Sequence, residues 1–364
     1  MMEKTLPEVC IIQYGFPFDS SKFCSAEGVP LVRIRDVVRG YSETYTTEIA
    51  GENYIVNDGD LLIGMDGEFN IAYWKGGRAY LNQRVCRLIP REDVDRDYIF
   101  YYMPQALKAI EDATPFVTVK HLSAKQLSKI LIPLPDMSEQ QRISAVLRSV
   151  DRVIAMRKKE LDELNNLVKS RFIELFGDSE FNTMQWPTEK LSELCVVSSS
   201  KRIYQNEQST EGVPFLRISD LNERIDNVKN APELFIPINK YNELKENGLV
   251  PTEGDILVTS RGTLGRCYIV RPEDEFYFQD GMISWLSDLS HQITSLYLSQ
   301  LFAMSGIQKQ IASLQAGSTV AYLSISMLKK LDIMLPPLNL QNQFAVFVEQ
   351  TDKSKLFDEM EVAA

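Results

Sequence analysis

An internal repeat constrains the fold of this chain more than any other feature of its sequence. Residues 317–344 repeat residues 116–143 at an offset of 201 positions, without a gap. Further matched blocks follow in the same order in both halves, with offsets that differ as loops of unequal length require. Because about half of a 364-residue chain recurs, the repeat predicts two similar domains. The further matched blocks are LPEVC (6–10) with LSELC (191–195), GVPLVRIRDV (28–37) with GVPFLRISDL (212–221), and VNDGDLLIGMDGEFNIAY (56–73) with PTEGDILVTSRGTLGRCY (251–268).

Both halves predict the same series of secondary-structure elements. Apolar runs bounded by turn residues predict strands: one pair at 30–34 and 214–218, and a buried pair that follows a Gly-Asp turn. Apolar residues at helical spacing then predict one helix in each half, the second of them over 296–311. Ser123 and Ser324 are predicted N-caps of a short helix that follows. The predicted mixture of strands and helices places the chain in the α+β class.

A stretch between the halves has apolar residues that are alternately three and four positions apart. This spacing is typical of a coiled coil and predicts a helix from Ser138 to Phe176, with Gly177 as its stop. Arg157 interrupts the stripe, and it either selects the register of helix pairing or extends its charge to solvent. A second copy of the pattern begins at Phe344 and predicts a shorter helix. The apolar stripe consists of Ile143, Leu147, Val150, Ile154, Leu161, Leu164 and Val168.

Composition limits the classes of protein to which the chain can belong. It is 44% hydrophobic and 24% charged, as in soluble globular proteins, and it contains no apolar run long enough to span a membrane. The five cysteines are widely spaced and form no CxxC pair, so we expect neither a zinc site nor a disulfide framework, and we expect a reducing cytoplasmic location. Only two histidines are present, which argues against a metal centre or histidine-based catalysis.

Five segments and their order carry a family resemblance. The chain consists of a globular half, a long helix, a second half and a second helix, and in this order it resembles the specificity (S) subunit of type I restriction–modification enzymes. The resemblance covers nearly the whole chain. The five segments are IIQYGFPFDSSKF (11–23), ILIPLPDMSEQQRI (130–143), LDELNNLVKSRFIELFGD (161–178), WPTEKLSEL (186–194) and IMLPPLNLQNQF (333–344).

The resemblance implies an architecture and a role. It implies two similar α/β target-recognition domains, separated by long conserved helices that form an antiparallel coiled coil. Each domain would read one half of a bipartite double-stranded DNA site, while the coiled coil would set the spacer and dock two methyltransferase subunits, which motor–nuclease subunits can join. The chain itself would be non-catalytic, with S-adenosylmethionine, ATP and Mg²⁺ on partner subunits. The implied domains are 1–137 (first recognition domain), 138–177 (central conserved helix), 178–338 (second recognition domain) and 339–364 (shortened C-terminal helix).

Basic residues recur at matched positions of the two halves and are the candidate DNA contacts. Arginine reads guanine in the major groove, and lysine neutralises phosphate. The net charge of −11 argues against a nucleic-acid binder when taken alone, but partner subunits can supply phosphate contacts. The candidate DNA-binding residues are Arg33, Arg35, Lys75, Arg78, Arg84, Lys120 and His121 in the first half, and Lys201, Arg202, Arg217, Arg261, Arg266 and Tyr322 in the second.

Several candidate residues allow two interpretations. His121 takes the place of Tyr322 in the repeat, so it is either a base reader or a half-exposed packing residue. Arg33 and Arg217 either contact phosphate or pair with the nearby Asp36 and Asp220. The Gly-Asp carboxylates at positions 60 and 255 are either catalytic or, as we favour, caps of turns. The glycines at positions 67 and 262 lie either in DNA-facing loops or in plain hairpin turns.

Three rival functions remain at the level of sequence. The chain could be a truncated or regulatory S-subunit variant that acts as an assembly scaffold, or a structural coiled-coil adaptor. It could also be a hydrolase that uses paired carboxylates, such as Asp58 with Asp60 or Asp66 with Glu68. Against the hydrolase, Asp66 aligns with Arg261, so that carboxylate pair is not kept between the halves.

Overall fold

The chain forms two compact units, Met1–Met156 and Arg157–Ala364, in a computed structural model. The structure describes residues 2–114, 120–228, 230–315 and 321–363. The first residues of the long repeated block, 116–119 and 317–320, lie outside the described residues. The division into two units of mixed helix and strand confirms the α+β class and the internal repeat.

Unit 1 contains eleven strands and the start of a long helix among its described residues. Short strands and short helices alternate before two longer helices. The elements are β1 (Met2–Thr5), α1 (Leu6–Val9), β2 (Cys10–Tyr14), β3 (Phe23–Cys24), β4 (Val29–Val32), α2 (Ile34–Arg39), β5 (Tyr45–Thr46), β6 (Ile55–Val56), β7 (Leu61–Gly64), β8 (Asn70–Tyr73), β9 (Ala79–Leu81), β10 (Val85–Pro90), α3 (Arg96–Ala113), α4 (Ala124–Leu127), β11 (Leu131–Leu134) and α5 (Met137–Phe176).

Unit 2 repeats most of this series, with nine strands among its described residues and with loops and helices of different length. It begins within α5 and ends with a second long helix. The elements are β12 (Thr188–Lys190), α6 (Leu191–Leu194), β13 (Val196–Ser198), β14 (Val213–Leu216), α7 (Ile218–Ile225), β15 (Phe235–Ile236), α8 (Ile238–Glu246), β16 (Ile256–Thr259), β17 (Cys267–Ile269), β18 (Tyr277–Phe278), β19 (Ile283–Ser287), α9 (Ser295–Phe302), α10 (Ser305–Leu314), α11 (Ile325–Leu328), β20 (Asp332–Met334) and α12 (Leu338–Ala363).

The two units share their four-stranded and two-stranded sheets, while the remaining sheet has five strands in unit 1 and three in unit 2. A four-stranded antiparallel sheet has the order β2-β10-β7-β8 in unit 1 and β13-β19-β16-β17 in unit 2. A second sheet contains a parallel pair, β4 with β9 and β14 with β18. A two-stranded sheet joins the first and last strands of each unit, β1 with β11 and β12 with β20. The repeat therefore describes two copies of one fold.

The strands that follow the Gly-Asp turns lie at the centre of each four-stranded sheet. Every residue of β7 and of β16 is buried, as a run of apolar residues without alternation predicts. Helices cover these sheets: Met103 of α3 and Leu298 of α9 are both fully buried in the unit cores. The prediction of buried central strands is confirmed.

Helix caps follow the sequence closely, but one helix prediction is wrong. Ser123 Oγ accepts from Gln126 N at 3.2 Å, and Ser324 Oγ accepts from Met327 N at 3.2 Å, which confirms both caps. The helix predicted over 296–311 is two helices, α9 and α10, separated at 303–304. The break lets Gly306 N donate to Ser179 Oγ at 3.1 Å, a contact that local spacing does not reveal.

The strands predicted over 30–34 and 214–218 end earlier than the sequence indicates. Arg33 and Arg217 are the N-cap residues of α2 and α7, and each donates its backbone N–H to an aspartate three residues later. The prediction placed these arginines within strands, and it is wrong because the capping box competes with continued strand pairing.

The two long helices have the lengths that the coiled-coil pattern predicts, a long first helix and a shorter second one. Helix α5 has 40 residues and ends before Gly177, whose φ of +78° suits glycine; α12 has 26 residues. Within unit 2, the rings of Phe172 and Phe344 pack edge to face with centroids 5.5 Å apart. The antiparallel coiled coil itself stays a prediction.

Across the described ranges, no helix combines the length and apolarity that crossing a bilayer requires.

Candidate functional site

One loop of the four-stranded sheet lies beside the segment that precedes the Ser-capped helix in each unit. Asp66, between β7 and β8, pairs with His121 in an isolated antiparallel bridge. Arg261, between β16 and β17, pairs in the same way with Tyr322. The repeat aligns Asp66 with Arg261 and His121 with Tyr322, so one backbone arrangement carries different side chains in the two units.

The backbone that supports this arrangement is the same in both units. Leu122 N donates to Met65 O at 2.7 Å, and Leu323 N donates to Ser260 O at 3.0 Å. Leu122 and Leu323 are fully buried, so each anchors its bridge to the unit core. The side chains beside them can therefore vary on a constant frame.

Two glycines form the tips of these loops. Gly67 has a φ of +77° and Gly262 a φ of +70°, which glycine adopts without strain. A Cβ atom built on either glycine would meet no heavy atom of the described chain within 4 Å. Both tips are thus tight turns that project into open space, where a ligand can approach them.

In unit 1 the bridge forms a polar cluster with Arg84, which we call the Asp66 cluster (Asp66, Arg84 and His121). The His121 Nδ1 atom lies 2.5 Å from Asp66 Oδ1, and Arg84 Nε lies 3.5 Å from Asp66 Oδ2. Arg84 Nη1 lies 3.2 Å from the same imidazole. Arg84 and His121 are about half exposed and Asp66 is 22% exposed, so the cluster is open to solvent.

In unit 2 the same position holds a stacked pair. The guanidinium carbon of Arg261 lies 5.4 Å from the centroid of the Tyr322 ring, within the range of a cation–π contact. Met282 corresponds to Arg84, since its carbonyl accepts the matched backbone hydrogen bond. The cation therefore comes from a different loop in each unit.

A cleft of about 520 Å³ opens beside the Asp66 cluster within unit 1. Its walls combine guanidinium groups, amides and aromatic rings, which can bind acceptor-rich planar or anionic groups. The polar and aromatic side chains that line it are Arg33, Arg35, Arg84, Asn82, Gln83, Ser20, Phe18 and Phe23.

Eight of the thirteen candidate residues lie beside a carboxylate; besides Arg84 and His121 at Asp66 and Arg35 at Asp36, five form ion pairs elsewhere. Hydrogen bonds to Asp280 and Asp220 raise the pKa of Arg202 and of Arg217, respectively. These side chains must exchange a carboxylate for DNA before they can contact it. The pairs are Arg78–Glu52 (2.9 Å), Lys120–Glu111 (3.8 Å), Arg202–Asp280 (2.8 Å), Arg217 with Asp220 (3.3 Å) and Glu233 (2.7 Å), and Arg266–Asp226.

Four other candidates make no ion pair among the described residues: Arg33, Lys75, Lys201 and Arg261. Arg33 faces the ring of Phe23, with 6.0 Å between the guanidinium carbon and the ring centroid. All four are exposed. These cations are free to meet an anionic or acceptor-bearing ligand without first losing a partner.

The matched residues Arg33 and Arg217 make different side-chain contacts in the two units. Arg217 pairs with Asp220, as one interpretation of the sequence expected. Arg33 uses only its backbone N–H on Asp36, at 2.9 Å, and its side chain lines the cleft. Arg35 lies 3.7 Å from Asp36 and donates to Thr44 Oγ1 at 3.2 Å, so it lines the cleft with a partial partner.

Sequence reasoning missed the uncharged residues of the cleft, among them Asn82 and Gln83. Asn82 and Gln83 lie between β9 and β10 and directly precede Arg84. A polar triplet between two apolar strands could have indicated them. Selection by charge chose only the arginine of that triplet. The corresponding loop of unit 2, 279–282, is one residue longer and lacks a cation.

The Gly-Asp carboxylates have structural contacts. Asp60 Oδ2 accepts from Asn57 N at 2.8 Å, and Asp255 Oδ2 accepts from Thr252 N at 2.8 Å. Asp58 likewise accepts a backbone N–H, at 2.7 Å. The turn-capping interpretation is confirmed for both repeated aspartates.

The described residues contain little support for a nucleophilic or metal-dependent site. Burial raises the pKa of the Cys10, Cys86 and Cys195 thiols to about 12, so they stay protonated at neutral pH. Within the described ranges, the imidazole of His121 contacts Asp66 and Arg84 but no hydroxyl or thiol. No group of three potential ligands among His, Cys, Asp and Glu is arranged to hold a metal there.

Comparisons with known proteins agree on one family. A family model described as the type I restriction modification DNA specificity domain matches residues 1–166 and 184–359. The type I restriction enzyme EcoBI specificity subunit of Escherichia coli is 32% identical over 298 residues, which covers 74% of this chain. The match spans 62% of that relative's length.

Two further comparisons extend this result. The MjaVIII specificity subunit of Methanocaldococcus jannaschii is 24% identical over 355 residues, covering 89% of this chain and 82% of that relative. The crystal structure of a type I restriction–modification S subunit from M. genitalium superposes with a TM-score of 0.56. It is 15% identical and covers 100% of this chain and 92% of its own, so it is similar in fold alone.

Proposed function

Because the chain belongs to the type I restriction modification DNA specificity family, we propose that it reads a bipartite DNA site, with one half-site contacted by each unit. The chain is the non-catalytic specificity subunit of a cytoplasmic complex. Partner subunits carry S-adenosylmethionine, ATP and Mg²⁺ and perform the chemistry.

The observation that carries this proposal is the matched bridge with different side chains. Asp66 and His121 in unit 1 occupy the positions of Arg261 and Tyr322 in unit 2. Reading two different half-sites requires different donors and acceptors at the same distance from the duplex, because each base pair presents its own pattern in the major groove. A constant backbone with variable side chains meets that requirement.

The acidic net charge is compatible with this role because charge acts locally. Arg33, Lys75, Lys201 and Arg261 are exposed and make no ion pair within the described part of the chain. Phosphate contacts from partner subunits add to these, so affinity of the complex does not follow the charge of this chain.

The long helix supports a second part of the proposal. We assign α5 to setting the spacer between the half-sites and to docking two methyltransferase subunits. Leu147, Val150 and Ile154 of its apolar stripe are each more than a third exposed. An apolar stripe left open on a helix is typical of a surface that a partner covers.

Domain exchange tests the proposal in the complex with the methyltransferase subunit. Replacing residues 1–137 by the corresponding domain of another specificity subunit should change one half of the methylated sequence and leave the other half and the spacer intact. The readout is the set of methylated sites in the host genome.

The reciprocal exchange of residues 178–338 is the matched control and should change the other half. Changes in both halves after a single exchange would reject one-unit, one-half-site reading. Loss of methylation in both exchanges, with complex assembly retained, would reject the reading role itself.

A further inference from the structure

The Arg84 side chain is held on one face and open at its end. Its Nε lies 3.5 Å from Asp66 Oδ2, and its Nη1 lies 3.2 Å from the His121 ring. Among the described residues, Nη2 makes no hydrogen bond. The guanidinium is therefore oriented by its neighbours at Nε and Nη1, while the N–H groups of Nη2 stay available.

The surroundings of Arg84 indicate what this open end meets. Asn82 and Gln83, which precede it, line the cleft together with Arg33 and Arg35. Guanine offers two acceptors, O6 and N7, at the spacing that a guanidinium binds with two parallel hydrogen bonds. A planar, acceptor-rich base edge fits this set of donors.

The carboxylate of Asp66 distinguishes a base from a phosphate. An anion beside the guanidinium repels a phosphate at the other end of Arg84, but it does not repel a neutral base edge. The same carboxylate restricts the rotamers of Arg84, which reduces the entropy lost when two hydrogen bonds form. The pair suits base reading better than phosphate neutralisation.

We propose that Arg84 reads a guanine in the half-site of unit 1 and that Asp66 is the positioning residue that aims it. This rests on the proposed function and names the residues by which one unit reads. Unit 2 lacks the arrangement, since Met282 replaces Arg84 and Arg261 replaces Asp66. Only one half-site depends on this pair.

The pair contributes little to folding, which makes the proposal testable. Arg84 is 48% exposed, and exposed ion pairs add little to stability. Asp66→Asn and Arg84→Ala should therefore unfold with wild-type midpoints, so a change in base preference would not reflect loss of structure.

The test measures binding of the full chain, in complex with its methyltransferase subunit, to duplexes in which each base pair of the wild-type site is replaced in turn. Arg84→Ala should lose roughly 5- to 150-fold discrimination at one G·C pair of a single half-site. Asp66→Asn should relax the same pair by a smaller factor. All other positions should keep their wild-type preference.

A second ion pair of unit 1 supplies matched controls. Lys108 and Asp112 lie 3.1 Å apart on α3, and each is 63% exposed. Lys108→Ala and Asp112→Asn remove the same kinds of charge away from the cleft. Both should leave discrimination unchanged at every position, and a relaxation equal to that of the Arg84 variant would overturn the proposal.

Three other outcomes also overturn it. Equal weakening on all sequences by Arg84→Ala, with a salt slope lower by about one, would make Arg84 a phosphate contact. Full discrimination in Asp66→Asn would remove the positioning role. Relaxation at an A·T pair would reject guanine. If the wild-type complex lacks any sequence preference, the proposed function fails as well. If the wild-type complex is selective and Arg84→Ala keeps the same preference at every position, this inference alone fails.

Discussion

The guanidinium of Arg261 stacks on Tyr322 and makes no ion pair within the described ranges. Arg261→Ala is expected to relax specificity in the half-site of unit 2, or weaken its binding, by roughly 1–3 kcal/mol. The reason is that the stack fixes the direction of a cation that no carboxylate of the described residues neutralises. Binding of the complex to substituted duplexes measures the effect.

Lys309 supplies the matched control for this variant. It is 65% exposed on the same unit and pairs with Glu180. Lys309→Ala removes one positive charge as well, and it should leave specificity unchanged. An Arg261→Ala complex with wild-type affinity and specificity would show that the stack only packs against the loop.

Ion pairing marks the limit of sequence reasoning at the scale of residues. Alignment of the halves identified the bridge positions, because Asp66 matches Arg261 and His121 matches Tyr322. It could not show that Arg266 pairs with Asp226 from another element. Such partners are distant in sequence and become neighbours only in the folded chain. The sequence alone therefore does not show which basic residues pair with a carboxylate and which are free to contact DNA.

The short helices α4 and α11 depend on their first residue more than on their length. Ser123→Ala should lower the free energy of unfolding of unit 1 by about 1 kcal/mol, because the orphan N–H of Gln126 loses its acceptor. Urea unfolding, analysed with a separate transition for each unit, measures this.

Ser149→Ala provides the comparison for the cap. Ser149 is exposed within α5, and among the described residues its hydroxyl donates only to Ala145 O of its own helix. Its removal should change stability by less than about 0.5 kcal/mol. Equal effects of the two substitutions would contradict the capping role of Ser123.

At the scale of elements, the sequence predicted those features that depend on residues close together in the chain. The buried central strands and the Ser caps follow from apolar runs and neighbouring residues, and they are confirmed. The break between α9 and α10 does not follow, because it depends on Gly306 packing against Ser179. An added Cβ on Gly306 would lie 2.3 Å from the Ser179 carbonyl oxygen, so a contact between distant segments selects the helix boundary.

For the whole molecule, the repeat is the reason that so much of the fold was predictable. Two copies of one fold give two sets of residue spacings for the same elements, so the spacings that both copies share identify those elements. The loops that differ are also where function is proposed. Their contacts, such as Arg84 with Asp66, join strands that alignment alone does not bring together.

The proposed role of α5 as a spacer makes a prediction for the whole complex. Inserting seven helix-forming residues after Val168 keeps the apolar stripe on nearly the same face, because 3.6 residues per turn differs little from 3.5. The helix gains about 10 Å, or roughly three base pairs of DNA. Methylated sites should keep both half-sites and show a spacer longer by about that amount.

The same seven residues placed in the exposed turn after Arg271 should leave the spacer unchanged, since that loop connects strands within unit 2. The comparison shows whether the spacer depends on the length of α5 or only on the total length of the chain. Recognition of the original spacer by the α5 insertion, with methylation retained, would mean that another contact between the subunits sets the distance. The helix would then serve only to dock partners.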